Sequence, residues 1–121
     1  MLYKVLIVLL GILCAGCVAD KPATDMIQTS EKKTRVLYFG ATWCSPCRKM
    51  KAEVLNDSQV KKELKKVDFK MYDIDVDKDM KRLYKINAVP TTLIINGNKM
   101  KRYTGGMSKS QFLSILSKET R

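Results

Sequence analysis

From residue 34 onward the chain alternates short apolar runs with polar segments that begin on capping residues. Thr34 to Phe39 (TRVLYF) is a β-rich run, and Gly40 ends it. Ser45 to about Val54 has helical character, with Pro46 in the first turn, where a missing N–H costs nothing. Asn56-Asp57-Ser58 supplies caps for a second helical piece, Gln59 to Lys66. Val67 to Ile74 alternates and reads as a strand. Asp77 or Asp79 is expected to cap a short helix from Lys78 to Tyr84. Thr91 to Ile95 (TTLII) is a buried strand, Asn96-Gly97-Asn98 a hairpin turn, and Lys99 to Tyr103 the return strand. Gly105-Gly106 breaks the chain. Ser108 and Gln111 form a capping box for a last helix, whose Phe112, Leu113, Ile115 and Leu116 make one apolar stripe. The predicted order is β-α-β-α-β-β-α. That is an α/β domain with a mixed four-stranded sheet and helices on both faces.

The start of the chain follows another pattern. Lys4 supplies a thin positive region, Val5 to Leu13 (VLIVLLGIL) a short apolar core, and Ala15-Gly16 two small residues before Cys17. This is the layout of an export signal. The uncharged run from Val5 to Ala19 is 15 residues, shorter than the ~20 that a spanning helix needs. Leu13-Cys14-Ala15-Gly16-Cys17 resembles a bacterial lipoprotein box. The resemblance implies cleavage before Cys17 and a diacylglyceryl group on its thiol, although Cys14 stands where leucine is usual. An uncleaved signal anchor and ordinary cleavage are the alternatives. The expected organisation is a signal peptide over residues 1–16, a polar tether over 17–33 containing Pro22, and one domain over 34–121. An exported location permits disulfides, so a Cys-x-x-Cys there can cycle or stay oxidised.

Composition narrows the chemistry. A chain of 121 residues holds one domain of this kind. It has no histidine, which excludes Ser-His-Asp triads, Cys-His dyads and His-ligated zinc or haem. The formal charge of +11 favours anionic surroundings. Its lysines (Lys61, Lys62, Lys65, Lys66, Lys81, Lys85, Lys99, Lys101) are not interleaved with base-stacking aromatics. A solvated basic face near an anionic membrane fits them better than nucleic acid does. Asp73, Asp75, Asp77 and Asp79 alternate like the start of a calcium loop. Lys78 stands where that loop needs glycine and Tyr84 where it needs glutamate, so no calcium site is expected.

Four cysteines remain: Cys14, Cys17, Cys44 and Cys47. As two Cys-x-x-Cys pairs they could ligate zinc. However, 26 residues separate the pairs and the first lies in the apolar leader, so no metal is expected. A static structural disulfide is the other bland reading of Cys44 and Cys47. The chemical reading is stronger. Cys44 would sit at the start of a helix that follows a strand. There, free backbone N–H groups and the positive end of the helix dipole stabilise a thiolate. Cys47, one turn later, is near enough to close a small ring. Cys44 would attack a substrate disulfide and Cys47 would resolve the mixed disulfide, with Pro46 restricting the turn. Arg48, Lys49 and Lys51 would further favour the thiolate.

The stretch Val36 to Ala52 (VLYFGATWCSPCRKMKA) resembles thioredoxin. The likeness continues through Asp73-Ile74-Asp75, Ala88-Val89-Pro90-Thr91, Gly97 and Gly105, and covers about Thr34 to Ser117. It implies the thioredoxin fold and a thiol–disulfide oxidoreductase with Cys44 as nucleophile and Cys47 as resolving thiol. No cofactor is implied beyond the redox-active disulfide. Pro90 falls on the family's cis-proline, which faces the two cysteines and presents backbone to a bound peptide. Trp43 falls on its exposed tryptophan, and Gly105 on the glycine of the substrate groove. Trp43, Ser45, Pro46, Val89, Pro90 and Gly105 are therefore the expected substrate-binding residues.

Several positions depart from the family. Tyr38 replaces its buried aspartate, Met71 a nearby lysine, and Ala52 a helix-kinking proline. The usual proton relay for the resolving thiol is thus missing. Cys47 must lose its proton to water or through Tyr38, whose bland reading is a core aromatic.

The function expected is a membrane-tethered reductase of exported protein disulfides. It would be a monomer at the bacterial cell envelope on the periplasmic side, held by Cys17 or an uncleaved anchor. The Ser45-Pro46 dipeptide resembles the reducing members, including those serving cytochrome c maturation. Reduction outside the cytoplasm needs an integral-membrane thiol electron donor. A disulfide oxidase or isomerase, and a non-catalytic binding module, are the alternatives.

Overall fold

The computed structural model describes residues 33–121. The predicted leader, the Cys17 anchor and nearly all of the tether lie outside the described residues. Among the described residues no helix is long and apolar enough to cross a membrane.

Strand β1 (Arg35–Gly40) is the centre of the sheet, and Val36 through Gly40 are buried on both faces. Such a continuous apolar run is what a strand covered on both sides requires. Strands β2 (Asp68–Asp73), β3 (Thr91–Asn96) and β4 (Lys99–Thr104) complete a four-stranded sheet in the order β2-β1-β3-β4. β1 pairs parallel with β2 and antiparallel with β3, and β3 pairs antiparallel with β4. β4 is an outer strand, and its exposed Lys99, Lys101 and Arg102 discourage further pairing. In the β3–β4 hairpin Asn96 pairs with Lys99. Gly97, at φ 61°, takes the positive φ that the first central residue of a tight two-residue turn demands.

Helix α1 (Ser45–Met50) does not run on as an α-helix to Val54, as the sequence suggested. It widens into a π-helical stretch, Lys51–Leu55, where the Asn56 N–H reaches back to the Lys51 carbonyl at 3.0 Å. At about 3.6 residues per turn Leu55 would lie well round the helix from Met50; the wider turn brings Val54 and Leu55 together to the buried side with it. The widening falls around Ala52, where the sequence lacks the family's kinking proline.

Helix α2 (Ser58–Leu64) starts on Asp57, whose carboxylate accepts from the N–H groups of Gln59 and Val60 at 2.9 and 3.2 Å. The same carboxylate meets Lys109 of the last helix at 3.0 Å. That lysine's hydrogen bond, with the Val60 N–H, holds Asp57 below the ordinary carboxylate range. Helix α3 (Lys78–Leu83) has Asp77 at its N-cap position, but the Asp77 side chain does not cap it. Its Oδ2 accepts from the Asp73 N–H at 2.8 Å and closes the β2–α3 loop instead. Helix α4 (Lys109–Glu119) carries the predicted Ser108–Gln111 capping box.

Two apolar clusters sandwich the sheet. On one face Val36, Tyr38 and Ile94 meet Met50, Val54 and Leu55, with Val60 and Leu64 of α2 and Phe112 and Leu116 of α4. On the other Leu37, Phe39 and Leu93 meet Ile74 and Ile86, with Met80 and Tyr84 packed at the margin. The Phe39 ring stacks on Tyr72 at a centroid distance of 5.2 Å. Cys44 and Cys47 are buried members of this second cluster, so the cysteines sit at the end of the sheet.

One polar atom in this core has no partner among the described residues: Oγ1 of Thr92, in a fully buried side chain that pairs across the sheet with Tyr38. An orphaned buried hydroxyl costs the desolvation it never recovers. Thr92→Val keeps the shape and removes the hydroxyl. We expect it to raise unfolding free energy by about 1–2 kcal/mol, read as a higher urea midpoint at unchanged slope.

Candidate functional site

The site begins where β1 stops. A side-chain Cβ at Gly40 would meet the Tyr38 ring at 3.0 Å, so glycine lets the chain leave the sheet close against that tyrosine. Ala41 and Thr42 turn the backbone, and Cys44 takes the N-cap of α1 in extended conformation. Its Sγ accepts the Cys47 N–H at 3.2 Å. A sulfur at the N-cap thus replaces the usual side-chain oxygen and meets an N–H that no helical carbonyl can satisfy. Pro46, lacking an N–H, occupies the first turn. Cys44 and Cys47 are joined by a disulfide with their Cα atoms 5.2 Å apart.

The second wall is the loop before β3. The Val89–Pro90 peptide bond is cis. The Val89 carbonyl oxygen lies 3.8 Å from Cys44 Sγ. The Pro90 carbonyl accepts the Gly105 N–H at 2.8 Å, and Gly105 sits at φ 103°, which favours a residue without a side chain. Thr91 Oγ1 donates to the Ala88 carbonyl at 2.7 Å and closes the loop from below. Next to Gly105, a Cβ on Gly106 would touch Pro46 at 3.9 Å. Sequence positions 43–47, 88–91 and 105–106 therefore meet at one rim.

Trp43 stands on that rim with 64% of its surface exposed. Its Nε1 donates to Asp75 Oδ2 at 2.9 Å. Asp75 in turn is held by its own N–H on Asp73 Oδ1 at 2.8 Å. Sequence reasoning treated the alternating aspartates as a strand end with helix caps and missed this role. No pattern in neighbouring residues marks a bond between positions 32 apart. Of the basic residues expected to act on the thiolate, Arg48 is engaged elsewhere: its Nη1 donates to the Thr42 carbonyl at 2.8 Å and braces the turn. Lys49 and Lys51 are exposed.

Tyr38 is buried, and its hydroxyl donates to the Cys47 carbonyl oxygen at 3.2 Å. Burial pushes its phenol up to about 12. At neutral pH it is therefore a protonated donor tied to the α1 backbone, and its partner is the Cys47 carbonyl and not the Cys47 sulfur. Cys47 borders a cleft of about 420 Å³, lined also by Tyr38, Arg48, Lys51, Asp73 and Asp77. The alkaline consequence has a definite sign. The unfolded phenol ionises near 10 and the folded one near 12. The stabilisation is complete below pH 10 and is lost as pH rises toward 12. Tyr38→Phe is expected to remove this part of the alkaline fall in stability, followed by circular dichroism, and to leave the rate of mixed-disulfide resolution unchanged. Slowed resolution would restore a proton-transfer role to the hydroxyl.

A four-stranded sheet flanked by helices, with a Cys-x-x-Cys disulfide at a helix start facing a cis-proline loop, defines a dithiol–disulfide redox site on the thioredoxin fold. The comparisons agree. Residues 21–120 match the model of the thioredoxin-like domain family. The thioredoxin of Mycobacterium tuberculosis is 32% identical over 96 residues, covering 78% of this chain and 79% of that protein. Thioredoxin H3 of Arabidopsis thaliana is 36% identical over 87 residues, covering 72% and 71%. Among solved structures, Fasciola hepatica thioredoxin superposes with a TM-score of 0.63 at 25% identity, covering 79% of this chain and 89% of that one. The chain belongs to the thioredoxin-like family. Its activity is that of a thiol–disulfide oxidoreductase acting on protein thiols and disulfides, with a redox-active disulfide in place of a cofactor.

Proposed function

We propose that this protein is a membrane-tethered, extracytoplasmic reductase of protein disulfides. Cys44 is the nucleophile and Cys47 the resolving thiol. Trp43, Ser45, Pro46, Val89, Pro90 and Gly105 form the substrate face. The observation that carries the reading is Cys44 Sγ at the helix N-cap, bonded to the Cys47 N–H and facing the Val89 carbonyl. In the reduced protein the Cys44 thiolate attacks one sulfur of a substrate disulfide. A new S–S bond forms and the other substrate sulfur leaves as a thiolate that takes up a proton. Cys47, its proton lost to water in the adjoining cleft, attacks Cys44 Sγ. The second substrate thiol is released, and two electrons have moved from the protein to the substrate.

The Ser45-Pro46 dipeptide between the cysteines, which resembles that of the reducing members of the family, supports a reducing rather than an oxidising couple. The anchor rests on residues 1–17: a short apolar run followed by Ala15-Gly16-Cys17. Its place is the bacterial cell envelope on the periplasmic side. The protein works there as a monomer, recharged by an integral-membrane thiol donor.

Fractionation of bacteria expressing the full chain tests the tether. The protein is expected in the membrane fraction with a mass that fits cleavage before Cys17 and acylation of its thiol. Cys17→Ala should abolish both. An unmodified soluble protein from the unsubstituted chain would overturn the anchor.

A further inference from the structure

A second cleft, of about 600 Å³, lies on the flank of the site between the β2–α3 loop and the segment that leads into β3. Ile74 and Ile86 are buried residues of its lining. Lys78, Lys81, Arg82 and Lys85 also line it, and all four are exposed. Lys78, Lys81 and Arg82 recur at the spacing that puts side chains on one face of a helix. Among the described residues Lys78, Lys81 and Lys85 pair with no carboxylate, and Arg82 has only an exposed contact with Asp79 at 3.6 Å.

Complementing the helix dipole accounts for cations in the last turn of α3, but not for Lys78 in its first turn. Lys85 follows the Tyr84 C-cap of α3 at φ 51°, the left-handed turn common just past a helix end, and lines the cleft from there. Arg102 fixes this turn by donating to the Tyr84 and Lys85 carbonyls at 2.6 and 3.3 Å.

The cleft is continuous with the redox face. Asp75, one of its lining residues, holds Trp43 beside Cys44, and Asn87 begins the loop that ends in Val89–Pro90. Asp75 is the one acidic residue lining the cleft, and its Oδ2 is bonded to Trp43.

We propose that this cleft docks an acidic segment of the client protein, lying beside the client's disulfide, and so sets a preference for acid-flanked substrates. The inference rests on the reductase reading and adds the substrate class. The apolar lining takes the stem of a glutamate or a neighbouring aliphatic side chain, while the lysines meet carboxylates at the rim. Rim charges of this kind act chiefly on association and weaken with salt.

The test compares two disulfide-bonded peptides that differ only in three glutamates or three glutamines a few residues from the cysteine. We expect kcat/KM for the acidic peptide to exceed that of the neutral one several-fold at low salt, with the ratio falling toward one at high salt. Lys78→Gln, Lys81→Gln and Lys85→Gln together should bring the ratio to one without changing turnover of the neutral peptide. A control variant with the same charge loss on α2 (Lys61→Gln, Lys62→Gln, Lys65→Gln) should keep the preference. Equal rates for the two peptides with the unsubstituted protein, or equal loss in both variants, would overturn the proposal. So would a cleft variant that keeps its peptide preference but loses binding to phosphatidylglycerol vesicles, which would assign the lysines to a lipid surface. Failure to reduce the neutral peptide would count against the reductase reading instead. Quenching of Trp43 by the acidic peptide would then still decide the cleft, with no difference between the peptides overturning it.

Discussion

Cys47→Ser is expected to stop the reaction halfway. The Cys44 thiolate still attacks a client disulfide, but no second sulfur is left to resolve the adduct. The variant should accumulate as a mixed disulfide with its client, stable to denaturing gel electrophoresis and released by dithiothreitol. Cys44→Ser should form no adduct and lose turnover by roughly three orders of magnitude or more, as happens when an enzyme loses its nucleophile. The asymmetry follows from position. Both cysteines are buried, but Cys44 sits at the N-cap with its Sγ against the Val89 carbonyl of the cis-proline loop, whereas Cys47 lies one turn further into the helix with its N–H on Cys44 Sγ. If the two serine variants trapped clients equally well, the roles assigned to the two sulfurs would be wrong. If neither trapped any, the protein would be a binding module with a locked disulfide.

The second large effect is on stability. Phe112 is fully buried and belongs to the cluster joining α4 to Val36, Tyr38 and Ile94 of the sheet. Phe112→Ala removes most of a ring and leaves a cavity that the surrounding strands cannot collapse to fill. The expected cost is about 3–5 kcal/mol, against the ~5–15 kcal/mol that holds a domain of ordinary stability. Urea unfolding should show a midpoint lowered by a large fraction. At low urea the folded protein should keep its redox chemistry, because Cys44 and Cys47 belong to the other cluster. A cost below about 1 kcal/mol would mean that α4 is not a structural part of the core.

Much of this was legible along the chain. The β1, β3 and α4 segments announced themselves through an apolar run, a hairpin turn and a capping box, which are local signals. Cys44 and Cys47 were legible because three-residue spacing at a strand-to-helix junction has few other uses. What the sequence hid was of two kinds. The π-helical stretch at Lys51–Leu55 carries no glycine, proline or capping residue to mark it, so a helical pattern was read straight through it. The Trp43–Asp75 bond joins residues 32 apart in sequence, and the Tyr38–Cys47 bond depends on where β1 lies beneath α1. Neither leaves a pattern in neighbouring residues. Tyr38 is instructive in a second way. The sequence left a proton relay open beside the plainer reading of a core aromatic; the side chain is buried in the core cluster and its hydroxyl is bonded to a carbonyl.

The reduction potential of the Cys44–Cys47 couple tests the account most directly. It can be measured in the full chain by equilibration with glutathione or dithiothreitol mixtures, with Trp43 emission as the readout beside the disulfide. A reductase requires a value near thioredoxin's ~−270 mV, and that is the result expected here. A value near ~−120 mV, that of a strong disulfide donor, would contradict it and make the protein an oxidase.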